Sequence, residues 1–266
     1  MLFGSAPLTG VRVVSAVGSG GKTSLLAALA RELPGRVVLC TTTHILPFAG
    51  VPLVCGGAGE VERALAESRV VCVGVPVEGG AGGAGAAGAG TAAAGGAGAS
   101  IGKLGAPAVG AGKLGAPAAG AGKLGAPAVG IDVLAELADH VLVEADGSRR
   151  LPLKAHASWE PVVPACSEAC VLVVGARGLG QPIERVVHRP GLFCSRAGCW
   201  EDDLASPARV AQVIASERAD GLLSFDHLLV NQVRDDRSRQ AGLALVRELG
   251  ARGIDVPAEL ANLPRP

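Results

Sequence analysis

The chain has 266 residues, a formal net charge of zero and 49% hydrophobic residues, which is enough for one large domain or two small ones with a sizeable core. Its balanced charge argues against nucleic acid as the main partner, because binding to a phosphate backbone needs clustered positive charge. The N-terminus lacks a basic segment followed by a long apolar one, and no run reaches the roughly 18 apolar residues of a membrane span. We therefore expect a cytoplasmic protein without membrane association.

The first predicted strand leads through a glycine-rich loop into a helix. Residues 11–17 form a short valine-rich run that is typical of a buried strand. Residues 24–32 are strong helix formers, and Pro34 and Gly35 end them. The loop between the two consists of Gly18, Ser19, Gly20, Gly21, Lys22 and Thr23. Glycine backbone amides and a helix N-terminus together form a nest for phosphate.

The spacing of this loop fits a phosphate loop with one departure. Lys22 would reach the β- and γ-phosphates, and the hydroxyl of Thr23 would ligate Mg²⁺. Ala16 stands at the first glycine of G-x-x-x-x-G-K-[ST], but a compact form with a substituted leading glycine also occurs in ATP-using ligases. We predict that residues 18–24, including Ser24, bind Mg²⁺ and a nucleoside triphosphate, with ATP favoured over GTP.

Apolar strands alternate with helices along the rest of the chain. The predicted strands are 36–45, 51–57, 70–77, 140–148, 170–176 and 226–233, and the predicted helices are 60–69, 131–139, 206–219 and 236–253. Because the strands are apolar throughout, we expect an α/β fold with a mostly parallel sheet and helices on both faces. We expect one domain over residues 1–266, with ligands at the carboxyl ends of the strands.

Residues 79–130 differ in composition from the rest of the chain. They hold 19 of the 40 glycines and end in three copies of a ten-residue repeat that starts G-K-L-G-A-P-A. Glycine and alanine offer little apolar surface to offset chain entropy, so we interpret the segment as a disordered or loosely held insertion. It is either a linker expanded by sequence duplication or a phosphate-binding lid that uses Lys103, Lys113 and Lys123.

Two acidic residues lie at the end of the predicted strand 140–148. Glu144 and Asp146 are two residues apart, so both carboxylates can face one way. In phosphate-loop proteins an acidic residue at this place holds Mg²⁺ or orients water. We predict that Lys22, Glu144 and Asp146 are catalytic and that Thr23, Glu144 and Asp146 hold the metal ion. The alternative is that both acids are solvated residues at a strand end.

Further polar residues are candidates for binding a second, anionic substrate. Lys154 is notable because the chain has five lysines and three of them lie in the repeat, which suggests that a compact ammonium is needed there. The alternative is a surface lysine. Threonines at the end of strand 36–45 supply hydroxyls near the phosphates, although packing alone also explains threonine in strands. The candidates from these two stretches are Thr41, Thr42, Thr43, Arg149, Lys154 and His156, and Arg150 belongs to the same local cationic set.

Asn231 lies in the predicted strand 226–233, at the place where GTPases often carry N-K-x-D for guanine. We include it among the nucleotide-binding residues. The aspartate of that motif is replaced by Arg234, and Asp235 comes one place late, so guanine specificity is not expected.

The seven cysteines include no C-x-x-C motif. Three of them, Cys40, Cys55 and Cys72, lie in or beside valine-rich runs and are expected to be small core residues. The other four could in principle bind zinc, but two-residue spacers are the commoner pattern for such sites. They are Cys166, Cys170, Cys194 and Cys199. A thiol with a role in redox or chalcogen chemistry is left open.

Four stretches of the sequence resemble the YqeC family, accessory proteins of selenium-dependent molybdenum hydroxylases. The stretches are GSGGKTS, TTTHI, VLVEADGSRRLPLKAHASWEPVVP and VVHRPGLF. The resemblance implies a phosphate-loop NTPase-like domain that helps to mature a selenium-containing molybdenum cofactor centre. Its partners would be the hydroxylase or its cofactor-assembly proteins and an anionic small molecule. His188 and Arg189, from the last stretch, join the substrate-binding candidates.

The residues and the resemblance together predict an ATP- or GTP-dependent hydrolase or phosphotransferase in this maturation. Two alternatives remain. One is a non-catalytic chaperone whose bound nucleotide switches its affinity for a partner. The other is a small-molecule ligase or kinase unrelated to selenium.

Overall fold

The computed structural model describes residues 2–4, 8–77 and 122–265. The helices are α1 (Lys22–Glu32), α2 (Ala58–Glu67), α3 (Ile131–Leu137), α4 (Ile183–Val186), α5 (Pro190–Ala197), α6 (Pro207–Ala219) and α7 (Asp236–Gly250). The strands are β1 (Val13–Gly18), β2 (Val37–Thr41), β3 (Leu53–Val54), β4 (Val70–Val73), β5 (Val75–Pro76), β6 (Leu124–Gly125), β7 (His140–Glu144), β8 (Leu153–Lys154), β9 (Ala169–Gly175), β10 (Val187–His188), β11 (His227–Asn231) and β12 (Ala258–Leu260).

A parallel sheet forms the centre of the fold. Within the described ranges it has eight strands in the order β12-β11-β9-β1-β7-β2-β4-β3, and each neighbouring pair runs parallel. β1 therefore lies between β7 and β9, and Ala16 pairs with Glu144 in the register. The sheet confirms the predicted α/β class and brings the carboxyl ends of β1, β2 and β7 together.

Helices cover both faces of this sheet because its strands are apolar on both sides. Along β7, Leu142 packs on the face that carries α1, whereas Val141 and Val143 pack on the face that carries α2 and α3. Further along the sheet that second face also carries α6 and α7, through side chains such as Val213 and Leu245. Alternating burial on both sides is what a strand buried within a parallel sheet requires.

The helices and strands differ from the predicted ones in several places. The predicted strand 140–148 ends as β7 at Glu144, so Asp146 lies beyond the strand, and the strands β8, β10 and β12 were not predicted. Helix α1 begins at Lys22 rather than at residue 24, so the loop lysine and threonine belong to its first turn. Strand β2 ends at Thr41, earlier than predicted. The two short helices α4 and α5 were not predicted, because neither is long enough to show a helical period. No helix among the described residues is long and apolar enough to cross a membrane.

The end of the predicted insertion belongs to the folded domain. Strand β6 pairs antiparallel with β5, and Leu124 is 2% exposed within the core. The interpretation of residues 79–130 as loosely held is therefore wrong for residues 122–130, because the leucine of the last repeat copy has a core pocket to fill. The rest of that prediction falls on residues 79–121, outside the described ranges.

Candidate functional site

The loop between β1 and α1 is held in a conformation that only glycine adopts easily. Gly18, Gly20 and Gly21 have φ of +89°, +95° and +133°, a region that L side chains avoid. A Cβ on Gly20 would overlap the backbone of Gly175. Gly21 precedes the first turn of α1, which has no side-chain cap. The first amides of α1 thus have no partner in the helix and are available to an anion.

The loop lysine and threonine point at the two predicted carboxylates. The Lys22 Nζ lies 3.0 Å from Asp146 Oδ1 and 3.8 Å from Glu144 Oε1, and it donates to the Gly18 carbonyl at 2.7 Å. The hydroxyl of Thr23 donates to Glu144 Oε2 at 2.8 Å. Residues more than 120 positions apart therefore meet at one point because β7 pairs beside β1.

Asp146 collects hydrogen bonds from several parts of the chain. Its Oδ2 accepts from the Gly18 amide at 2.9 Å and from Lys154 Nζ at 2.8 Å, and it lies 3.0 Å from His156 Nε2. Asp146 is 0% exposed, and Lys154 and His156 are buried with it. Asp146 thus joins the phosphate loop to the segment that follows β7.

Further charged residues complete this buried network, and sequence reasoning did not single out Glu160, Glu217 or Arg196. Glu160 accepts from Lys154 at 2.8 Å and from Arg189 at 2.7 Å. Glu217 lies 2.6 Å from His156 Nδ1 and accepts from Arg196 at 2.6 Å.

The sequence carried a usable signal for Glu217. It is 1% exposed on the apolar stripe of α6 that includes Val210, Val213 and Ile214. A charged residue at a core-facing position of a helix normally needs a buried partner. The missed partner here is the imidazole of His156.

The charged groups in this network shift one another's pKa values. Burial by itself lowers the pKa of Lys22, but the carboxylates of Asp146 and Glu144 outweigh it, and the pKa is raised. Burial would raise the pKa of Asp146, but the charge of Lys22, the hydrogen bond from His156 and the charge of Lys154 hold it below its usual range. Burial lowers the pKa of His156, but its bonds to Asp146 and Glu217 more than reverse this. The two carboxylates thus favour the protonated form of His156.

Glu144 differs from Asp146 in its electrostatics. Burial raises the pKa of Glu144 and outweighs the opposing effects of Lys22 and Thr23. Of the two predicted acids, it is the one whose affinity for a proton is increased. It also keeps some contact with solvent, at 8% exposed.

The remaining predicted residues take several positions around this centre. The hydroxyl of Thr41 donates to the Glu144 carbonyl at 2.7 Å, and that of Thr42 donates to the Val162 carbonyl at 2.7 Å. The amide of Thr43 donates to the Thr41 hydroxyl at 2.9 Å. The Asn231 side chain donates to the Gly20 carbonyl at 3.0 Å and accepts from the Leu263 amide at 2.9 Å. Asn231, the last residue of β11, thus contacts the loop across the intervening strand β9.

The cationic candidates outside the buried network are either exposed or half-buried. Arg149 and Arg150 have positive φ in a turn after β7, and both are exposed. Arg189 has one face over the Trp159 ring, 5.8 Å from its centroid. Burial, together with the charge of Arg189, lowers the pKa of His188 to about 4. The substrate-binding role of these residues stays a prediction.

The residues at the loop suit a magnesium ion that is shared with a phosphate. No three His, Cys, Asp or Glu side chains of the described residues lie together as a metal site. Mg²⁺ is commonly held by one or two carboxylates plus substrate phosphates and water. Thr23 and Glu144 offer a hydroxyl and a carboxylate oxygen 2.8 Å apart, whereas the carboxylate of Asp146 is already engaged by three donors on one oxygen.

Comparison with known proteins places the chain in a family. The model of the YqeC protein family matches residues 14–191, a range that contains the loop and the carboxylates. The uncharacterized protein YqeC of Escherichia coli (strain K12) is 30% identical over 198 residues. That alignment covers 71% of this chain and 62% of the E. coli protein, so the chain spans less than two thirds of this relative. No solved structure matches the chain. The chain belongs to the YqeC family.

Proposed function

We propose that this protein binds a Mg²⁺–nucleoside triphosphate at the loop between β1 and α1. The observation that carries the proposal is the meeting of Lys22, Thr23 and Glu144 at the uncapped N-terminus of α1. A helix N-terminus preceded by glycines with positive φ favours phosphate. A lysine and a hydroxyl in the first turn complete the set of groups that a triphosphate with its metal requires.

In this proposal the lysine exchanges partners when the triphosphate binds. Lys22 is 3% exposed and pairs with the carboxylates of Asp146 and Glu144, which favour its charged form and hold it close to the loop. Phosphate oxygens would replace part of that pairing. Asp146 keeps its bonds to Gly18, Lys154 and His156, and it therefore positions the loop rather than reacting.

Thr23 and Glu144 are the residues that would hold the metal ion. Bound there, Mg²⁺ supplies positive charge that neutralises the phosphates. Glu144 would alternatively orient an attacking water or hydroxyl, the second role that an acidic residue at this place takes in phosphate-loop proteins. Loop amides and Lys22 would stabilise the charge on the transferring phosphoryl group. The proposed reaction is hydrolysis of the nucleotide or phosphoryl transfer to a second substrate.

The proposed biological role is assistance in assembling a selenium-dependent molybdenum hydroxylase. It rests on the family resemblance in the segment from β7 to α5. Within that segment Lys154 and Arg189 are already paired with Glu160, whereas Arg149 is exposed in the turn after β7, and its charge suits an anionic cofactor or intermediate. A reconstituted assay tests the role: addition of the protein and nucleotide should raise the activity of a hydroxylase matured in vitro. Unchanged hydroxylase activity would contradict the proposed role but would leave the proposal of nucleotide binding standing.

Two lysines provide a matched test of the nucleotide site. Lys22 and Lys154 are both buried and both contact Asp146, but only Lys22 belongs to the loop. Lys22→Ala should weaken triphosphate binding by roughly 10- to 100-fold, the equivalent of one charge-assisted contact, while nucleoside binding changes little. Lys154→Ala should cost similar stability but leave the triphosphate affinity within a few-fold.

Titration calorimetry with ATP, GTP and the two nucleosides measures these affinities, and circular dichroism confirms that each variant is folded. Equal losses of triphosphate affinity in both variants would mean that the loop lysine has no special contact with phosphate.

A further inference from the structure

The C-terminal end of α5 brings two cysteine side chains together. The helix ends before Gly198, whose φ of +63° and ψ of +47° are left-handed. The Cys199 amide then donates to the Cys194 carbonyl at 3.2 Å. This is the hydrogen bond that closes a helix end through a left-handed glycine, and a contact between side chains near the two bonded positions often accompanies it.

In this chain both of those positions are cysteines. Their thiols are close enough to hydrogen-bond to each other, and both residues are half-buried. They line an open cleft together with Ser195, Trp200 and Glu201. Their sulfur atoms are therefore paired with each other and within reach of a small molecule. Of the other cysteines, Cys40, Cys72 and Cys170 are buried, Cys166 is half-buried and Cys55 is exposed.

The backbone of this helix end suits a covalent link. The Cys199 amide nitrogen lies 3.2 Å from the Cys194 carbonyl oxygen, so the backbones of the two residues approach closely, as a disulfide requires. The glycine between the cysteines already turns the chain, so the helix does not need to unwind. Arg196 lies between the cysteines and donates to Glu217 and to the His156 carbonyl. The redox state of the pair would thus act on the turn that carries this arginine.

We propose that Cys194 and Cys199 form a redox-active dithiol that closes to a disulfide by exchange with a small-molecule disulfide. One deprotonated Sγ attacks a sulfur of the small molecule, forms a mixed disulfide and expels one thiolate. The second Sγ, after losing its proton, attacks the protein sulfur of that mixed disulfide and expels the second thiolate. The protein is oxidised by two electrons, the small disulfide is reduced to two thiols, and the two protein protons go to the leaving thiolates.

The pair is expected to react faster at alkaline pH, since the thiolate is the nucleophile. Burial and the hydrogen bond with Cys199 raise the pKa of Cys194 to about 11. This dithiol is independent of the nucleotide proposal, and its chemistry can be tested without a nucleotide.

The test uses the full chain and oxidised glutathione as the probe. After incubation the remaining thiols are alkylated under denaturing conditions, and the protein is digested with trypsin without reduction. Cleavage after Arg196 separates the cysteines into peptides 186–196 and 197–209. We expect these two peptides to be recovered as one disulfide-linked product, with two of the seven cysteines protected from alkylation.

Two variants serve as controls, with folding checked by circular dichroism. Cys55→Ser removes an exposed thiol elsewhere and should still give the linked product. Cys194→Ser should abolish it and leave Cys199 free or joined to glutathione. The proposal is overturned if peptides 186–196 and 197–209 of the unmodified chain stay unlinked, carry one glutathione each, or are joined to other cysteines.

Discussion

Replacement of Asp146 by asparagine should destabilise the fold severely. The side chain is 0% exposed, and its Oδ2 is shared by the Gly18 amide, Lys154 and His156. The amide would keep one acceptor oxygen but would lose the negative charge that compensates these donors. Breaking a buried ion pair costs about 3–5 kcal/mol. Because the amide oxygen still accepts, we expect the lower end of that range, about 3 kcal/mol of the free energy of unfolding.

Glu144→Gln is the matched control for this prediction. Its carboxylate is also buried, but burial already raises its pKa, and glutamine retains an acceptor for the Thr23 hydroxyl. We expect a loss of about 1 kcal/mol or less. For a chain of this size a loss of about 3 kcal/mol corresponds to a fall in the melting temperature of about 6–12 °C. Urea unfolding followed by circular dichroism measures both variants. A loss under about 1 kcal/mol for Asp146→Asn, or equal losses for both variants, would show that the negative charge of Asp146 does not stabilise the buried network.

Three further predictions concern the repeat and the metal. Leu124→Ala should lower the free energy of unfolding by about 2–5 kcal/mol, because the side chain packs in the core. Leu104→Ala and Leu114→Ala, at the same place in the earlier copies, should change it by less than about 0.5 kcal/mol. Urea unfolding measures all three variants. Deletion of residues 80–121 should leave the melting temperature unchanged within about 2 °C. The Val77 amide already donates to the Lys123 carbonyl, so a short hairpin loop can join the two ends. A larger fall would show that the removed segment stabilises the domain. Thr23→Val should abolish the gain in triphosphate affinity that Mg²⁺ provides, and Thr23→Ser should retain it. Calorimetry with and without Mg²⁺ measures this gain for each variant. An unchanged gain in Thr23→Val would exclude the Thr23 hydroxyl as a ligand of the metal ion.

Local patterns in the sequence predicted most of the sheet and the parts of the site that lie in one stretch. Continuous apolar runs identify β1, β7 and β9, because a strand buried on both faces is apolar throughout. The spacing of Gly18 to Thr23 predicted the loop without reference to the rest of the chain.

Other features depend on contacts between distant residues. Two of them are the burial of Lys154 and His156 against Asp146 and the pairing of Glu217 with His156. The sequence predicted a cationic set but not that its members would be paired with carboxylates, because the partner Glu217 lies 61 residues from His156. The order of the strands is likewise set by packing across the whole sheet.

Composition alone missed one structural element. The last repeat copy is nearly identical to the two before it, so composition assigned all three to the same insertion. The family resemblance instead implies that the last copy, which leads into the predicted helix 131–139, is the family's own approach to that helix and that the two earlier copies are additions. Leu124 nevertheless packs in the core, and β6 pairs with β5. A position within a repeat is therefore a poor guide to burial when one copy adjoins a folded domain.

Titration calorimetry of the full chain with ATP, GTP and their nucleosides, each with and without Mg²⁺, is the decisive measurement for the proposed nucleotide site. We expect one binding site per chain, a higher affinity for triphosphate than for nucleoside, and a further gain in triphosphate affinity when Mg²⁺ is present. Absence of binding at millimolar concentrations of both nucleotides, with Mg²⁺ present and the protein folded, would contradict the proposed site.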